Sequence, residues 1–357
     1  MDTFIIRRLR MLLAIAWKRG NVTLWLAAIG IAPLFFMINR LALHLDPLLF
    51  PSLRRIEVER PVFIIAHPRS GTTFLQGLVS LHPEIASFRT WEMFFPSVIL
   101  RRAVKPLVML AEALGLSRLQ RAAKGHRIEL SAVDEEEGLF LHHLDSEMLT
   151  YLCPEGVTDP KYRHRFLRLG WSDSHLRREP LAWFKEYLRR HLYLTRTRRV
   201  MLNSNPSVFR MRSLLAEFPD ARFVFLSRTP LETVPSYFSL LEHTVGHRLL
   251  TSQREAFYRR KYSWSLQLYR YYERMKREVN PERLLVVDFS ELTEGAEYTL
   301  AVLVRIFRFA GLEVSTSTRR LIRSELKKPR GRSHKNYPLS RFGLSLERIR
   351  RDFAGRT

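Results

Sequence analysis

The stretch "FIIAHPRSGTTFLQGLVSLHPE", residues 63 to 84, decides the fold. "VFIIAH" (62–67) is a short, β-branched apolar run, the pattern of a buried strand. "TTFLQGLVSLH" (72–82) spaces its apolar residues as a helix does, and His82-Pro83 ends it. An anion beside the turn between them meets backbone N–H groups and the partial positive charge of a helix N-terminus. Gly71 lets the backbone turn with no side chain in the way, and Ser70, Thr72 and Thr73 add hydroxyl donors. Against the pattern G-x-x-x-x-G-K-[ST], Ala66 takes the first glycine position and Gly71 the second. Thr72 stands where the lysine belongs. Arg69 supplies a cation inside the loop instead. Such a loop suits an oxyanion that needs a permanent, forked positive partner better than it suits a nucleoside triphosphate.

Outward from this stretch the α/β rhythm repeats. "RVMLNSNP" (199–206), "ARFVFLS" (221–227) and "RLLVVDF" (283–289) are further strand candidates. Pro206 opens the helix "SVFRMRSLLAEF", residues 256–278 form a long tyrosine-rich helix, and Gly311 caps the helix "EYTLAVLVRIFRFAGL". The region from 90 to 195 reads as helices and loops. The fold class expected is α/β: a P-loop-like parallel sheet flanked by helices, with an N-terminal apolar helical segment. Ligands then bind at the carboxyl ends of the strands. Residues 1–60 form the N-terminal segment and 61–357 one catalytic domain.

The 357 residues carry a net charge of +24, which asks for an anionic partner. Thirteen Lys/Arg stand against three acidic residues from Arg319 to Thr357. No zinc-finger pattern or aromatic RNA-binding consensus occurs, so nucleic acid is not the partner expected. The single cysteine, Cys153, excludes an intrachain disulfide framework and fits a reducing, cytoplasmic setting. Residues 22–38 carry no charge and would reach about 26 Å as a helix, just under a bilayer's hydrocarbon thickness. Arg7, Arg8, Arg10, Lys18 and Arg19 precede the run, and Arg40, Arg54, Arg55 and Arg60 follow it, so charge sets no orientation. A single span, an interfacial anchor and an arm packed on the protein's own core all remain open. Basic flanks with Trp17 and Trp25 favour attachment to an anionic membrane surface, whether peripheral or by one anchor. No pattern sets an oligomeric state.

"HPRSGTTFL" followed by "HPE" resembles the 5′-phosphosulfate loop of sulfotransferases that use 3′-phosphoadenosine 5′-phosphosulfate (PAPS). It is most similar to the bacterial branch with Pro-Arg-Ser-Gly-Thr-Thr, akin to the tyrosylprotein and carbohydrate enzymes. The resemblance implies that Arg69, Ser70, Gly71, Thr72 and Thr73 bind the donor. In "FPDARFVFLSRTPLETVPSYFSL", Arg228 and Ser236 match the family's arginine and serine that grip the donor's 3′-phosphate. "KKPRGRSHKNYPLSRFGLS" resembles the basic loop that closes over that phosphate, carried by Arg330, Gly331 and Arg332. His334, Tyr337, Phe342, Gly343 and Leu344 match the sequence that follows. A lysine common in the family's "Lys-Asn-Pro" segment is absent, with Asn203 or Ser204 in its place. The family needs no metal, and none is expected here.

Sulfuryl transfer needs charge stabilisation at the leaving phosphate, assigned to Arg69, and a base for the acceptor's proton. Glu92 in "FRTWEMFFP" sits among Trp91, Met93, Phe94 and Phe95, where desolvation raises a carboxylate's pKa and makes it a better base. Asp134, Glu135, Glu136 and Glu137 compete with it, either for that role or simply as partners of arginines. His142 and His143 read as structural. The apolar N-terminus and the aromatic setting of Glu92 point to a lipid, glycolipid or other hydrophobic acceptor with a hydroxyl or amine. A nucleotide or small-molecule kinase with an atypical phosphate loop is the alternative, and Asp288 is its candidate metal-binding carboxylate.

Overall fold

A computed structural model describes residues 10, 13, 26–116, 118–120, 128–133, 135–161, 178–204, 207–328 and 337–355. Its centre is a five-stranded parallel sheet in the order β2-β5-β1-β6-β7. β1 (Val62–Ile65), β5 (Arg199–Asn203), β6 (Arg222–Ser227) and β7 (Leu284–Asp288) are the four strands expected from the sequence. β2 (Ile85–Ala86) has two residues, too few for any periodicity to show. β3 (Arg118–Gln120) and β4 (Ile128–Glu129) form a separate antiparallel ribbon in a region expected to lack strands.

The apolar runs in β1, β5 and β6 are continuous because both sheet faces are covered. Phe63, Ile65, Leu202, Phe223 and Phe225 face one core, packed with Phe184, Tyr187, Phe218 and Tyr272. Val62, Ile64, Met201, Val224 and Leu226 face the other, with Leu75, Leu78, Leu303 and Phe307. The helices used below are α1 (Ala32–Leu49), α2 (Thr72–Val79), α3 (Thr90–Phe94), α4 (Val98–Ala113), α5 (Arg178–Thr195), α6 (Met211–Glu217), α7 (Pro230–Thr244), α8 (Thr251–Glu278), α9 (Ala296–Phe309), α10 (Thr316–Leu326) and α11 (Leu346–Asp352). Gly311 follows α9 with φ 74°, the left-handed cap expected of it. Pro235 lies inside α7 without ending it.

The N-terminal apolar segment differs from its expected bounds. α1 runs on to Leu49, past the charge-free stretch, and packs along α4. Asp46 is fully buried there. Its carboxylate accepts from Ser97 Oγ (2.8 Å) and from the backbone N–H groups of Val98 (3.0 Å) and Ile99 (3.2 Å), which are orphan donors of α4's first turn. Arg190 on α5 completes the set at 2.8 Å.

Candidate functional site

Because β1, β6 and β7 are adjacent, the loops that leave their carboxyl ends meet. The β1–α2 turn holds two left-handed residues, Arg69 (φ 72°) and Gly71 (φ 96°), on either side of Ser70. A Cβ built on Gly71 would overlap the ring of Phe289, the residue after β7, so the glycine is demanded by close approach as well as by φ. Gly71 is the N-cap of α2 and contributes no side-chain cap. The first amides of that helix point along its axis toward the turn, at the end of positive partial charge. Ser70 is buried, and among the described residues its hydroxyl has no hydrogen-bond partner.

The second block meets the first directly. Arg69 Nε donates to Ser236 Oγ on α7 at 3.1 Å, and Arg228 Nη1 donates to the carbonyl of Arg69 at 3.2 Å. Arg228 also lies 4.2 Å over the Phe289 ring and pairs through Nε with Glu232 at 2.7 Å. The two arginines therefore stand side by side at this turn. Burial and the neighbouring Arg228 lower the pKa of Arg69, while Tyr151 and Glu135 oppose that shift. Two guanidinium groups that repel each other beside a buried serine hydroxyl suit an anionic ligand, with Glu232 the carboxylate already on Arg228.

His67 anchors the loop from below. Its Nδ1–H donates to the Pro68 carbonyl (2.8 Å) and Nε2 accepts from Ser265 Oγ (2.9 Å). Burial lowers its pKa to about 4, so the imidazole is neutral. Tyr151 lies near Arg69 with its hydroxyl beside that of Tyr237 on α7, and burial pushes both phenols up. Behind them, fully buried Lys261 pairs with Glu147 and donates to Thr150 Oγ1 at 2.8 Å. The sequence offered no signal for Tyr151, Phe289 or Lys261, which come from unpatterned turns or from one face of a long helix.

The acidic residues separate by role. Glu137 is buried and pairs with Arg210 at 3.1 Å, alongside Asp145 at 2.9 Å, as an acidic run paired with arginine should. Glu136 accepts from Gln76 of α2 at 3.4 Å and ties the segment to the loop helix. Glu135, half-buried, is the one whose charge reaches Arg69. Asp134 lies outside the described residues. Glu92 departs from the apolar setting expected of it. It stands at the third position of α3, where Oε2 accepts the backbone N–H of Arg89 at 2.8 Å in a capping box, and Phe94 next to it is exposed. His142 is structural, held to the Met93 carbonyl at 2.8 Å with its pKa lowered to about 4 by burial. Asp288 accepts from Ser290 N (2.8 Å) and Oγ (2.6 Å) in a turn.

Where the family lysine would stand, Asn203 and Ser204 are buried, Asn203 Oδ1 without a partner and Ser204 N bonded to the Ile64 carbonyl at 3.0 Å. Arg330, Gly331, Arg332 and His334 lie outside the described residues. Tyr337 beyond them donates its N–H to Ser239 Oγ at 2.9 Å, one turn along α7 from Ser236, and Phe342 packs on Phe238 and Tyr258. The C-terminal block thus returns to the helix that carries Ser236.

Comparison with known proteins agrees with the fold. The crystal structures of sulfotransferase STF9 from Mycobacterium avium and STF1 from Mycobacterium tuberculosis H37Rv share the fold. Their TM-scores are 0.69 and 0.68 at 20% and 19% identity, over 88% and 93% of this chain and 80% and 87% of theirs. Two curated proteins, from Mycobacterium bovis and Mycobacterium tuberculosis, are each named omega-hydroxy-beta-dihydromenaquinone-9 sulfotransferase Stf3. They are 26% identical to it over 259 residues, 71% of this chain and 63% of theirs. The chain therefore aligns with less than two thirds of those relatives. A sulfotransferase family model matches residues 61–316, which begins one residue before β1 and includes both arginine-bearing loops. The chain belongs to the sulfotransferase family.

Proposed function

We propose that this protein transfers a sulfuryl group from PAPS to a hydroxyl of a hydrophobic, lipid-type acceptor. The observation that carries this reading is the convergence of Arg69, Ser70, Arg228 and Ser236 on one turn, which sets two cations beside a buried serine hydroxyl. Arg69, Ser70, Gly71, Thr72 and Thr73 would hold the 5′-phosphosulfate. Arg228 and Ser236, with Arg330, Gly331 and Arg332, would hold the 3′-phosphate. When bound, the donor supplies a sulfuryl group attached to a phosphate leaving group. Arg69 and the first amides of α2 then stand where charge grows on that phosphate, and preorganised donors of this kind contribute most of such a rate enhancement.

A carboxylate takes the acceptor's proton. Glu135 is the better placed of the two candidates, because its charge reaches Arg69 while one Glu92 oxygen already caps α3. A lipid acceptor is supported by the named substrate class of the Stf3 relatives and by the apolar N-terminal helix. Cytoplasmic placement at a membrane surface belongs to the same proposal.

The test is transfer of labelled sulfate from PAPS, without added metal, into a bacterial lipid extract, run beside ATP with magnesium. Label in the lipid fraction from PAPS alone is the expected result. Phosphate transfer from ATP with no transfer from PAPS would refute the reading.

A further inference from the structure

α1 is assembled with its polarity reversed. Its inner face carries Asn39, Ala42 and Asp46, all buried, and is held by the four contacts to the Asp46 carboxylate described above. Its outer face carries Leu34, Met37, Leu41, Leu45 and Leu48, which are between 40% and 69% exposed. A helix that served only a water-soluble core would place these faces the other way round. The reversal continues onto the neighbouring helix, where Leu107, Met109 and Leu110 of α4 and its C-cap Leu114 are between 56% and 64% exposed. Two adjacent helices thus present one apolar surface of a kind that monomeric soluble proteins rarely leave open.

The exposed charges on these elements select the occupant. Arg40 on α1, Arg54 and Arg55 in the turn after it, and Arg102 and Lys105 on α4 are exposed, against a single exposed acid, Glu112. A second copy of this chain seated on the same face would set these cations against their own equivalents. An anionic headgroup layer neutralises them while the acyl region takes the leucines.

We propose that α1 and α4 form a monotopic docking face that lies in the plane of an anionic bilayer, and that α1 does not cross it. Spanning would require Asp46 and Arg190 to leave a buried ion pair and the start of α4 to lose the Asp46 carboxylate that accepts from Ser97 and Val98. The face also adjoins the acceptor side of the site. Phe35 packs on Phe95 and His142, and Phe36 on His142, so α1 touches the two segments that bear Glu92 and Glu135. A lipid acceptor then enters from the membrane without crossing water. This last step rests on the proposed lipid acceptor, whereas the docking itself does not.

The experiment is flotation of the full chain with phosphatidylcholine vesicles containing one quarter phosphatidylglycerol, and no sulfate donor. Wild type is expected to float, and the double variant Leu41→Glu, Leu45→Glu to lose at least tenfold in partitioning while keeping its melting temperature. Bound wild type should be released from the vesicles by an alkaline carbonate wash, which a membrane-crossing α1 would resist. Failure of wild type to float, equal flotation of the double variant, or retention of wild type through the carbonate wash would overturn the proposal. So would a wild-type dimer that the double variant converts to monomer with flotation unchanged. Failure of the sulfuryl-transfer reading instead appears as the absence of transfer from PAPS, which none of these readouts measures.

Discussion

Arg69 joins backbone strain and chemistry in one residue, and the two can be separated. Its φ of 72° is a conformation that costs an ordinary residue on the order of 1–2 kcal/mol. Arg69→Gly removes that cost together with the guanidinium. Turnover is expected to fall at least about a hundredfold, the loss typical of one oxyanion donor, while the denaturation midpoint holds or rises. A variant that lost stability and activity together would show that the guanidinium mainly braces Ser236. The carboxylates separate in the same manner: Glu135→Gln should abolish turnover, because an amide cannot take the acceptor's proton, whereas Glu92→Gln should keep most of kcat and its cap, since a glutamine oxygen still accepts the Arg89 amide. Loss of kcat in Glu92→Gln alone would return the base to that residue. His67 and His142 add a pH dependence. Burial holds each at about 4 in the folded protein against 6.5 for an ordinary histidine. The unfolded chain thus binds protons first as pH falls. Their contribution is complete above pH 6.5 and is lost toward pH 4, about 3 kcal/mol for each residue. Denaturation midpoints measured from pH 7 to pH 4 should drop across that window, and a flat profile would contradict the buried, neutral assignment.

At the scale of elements, the clearest test lies at the base of α1. Asp46→Ala takes from Arg190 its buried partner, leaving the more exposed Glu186, and takes from Val98 its acceptor while Ser97 still caps α4. A loss of about 3 kcal/mol is expected, read as a lower melting temperature. The site's phosphate grip should survive it, since no contact of Asp46 reaches the β1–α2 turn. What could be read from the sequence follows the range of the forces involved. β1, β5, β6 and β7 were legible because both faces of each are covered, which writes itself as a continuous apolar run. The Arg69–Thr73 turn was legible because local geometry dictates its glycine and hydroxyl residues. β2 was not, having only two residues. Nor was the polar inner face of α1, because Asp46 acquires its meaning from Arg190, 144 positions away. Glu92 looked desolvated beside Trp91 and Phe94, but α3 begins there and turns its carboxylate to the Arg89 amide. The contest between Glu92 and Glu135 was open in the sequence because only tertiary packing brings residue 135 near residue 69.

For the molecule as a whole, the sheet order puts the residues proposed to hold the donor's phosphates on strands that are neighbours in space but far apart in sequence. β1 lies between β5 and β6, and the Arg69 turn is therefore flanked by Asn203 and Ser204 on one side and by Arg228 on the other. Ligand binding at such a seam ties both halves of the chain together, so it should be read out as global stability. Adenosine 3′,5′-bisphosphate, the donor without its sulfuryl group, keeps both phosphates and requires no acceptor. At one hundred times its dissociation constant it should add about 2.7 kcal/mol, a rise of roughly 4 °C in melting temperature. Arg228→Ala should remove most of that rise, because it deletes one cation of the pair and the clamp on the Arg69 carbonyl. Adenosine 5′-monophosphate, which lacks the 3′-phosphate, should stabilise wild type and Arg228→Ala about equally. If instead Arg228→Ala responds to the bisphosphate as wild type does, Arg228 acts only through Glu232 and Phe289, and the second anion grip must be sought elsewhere on the carboxyl edge of the sheet.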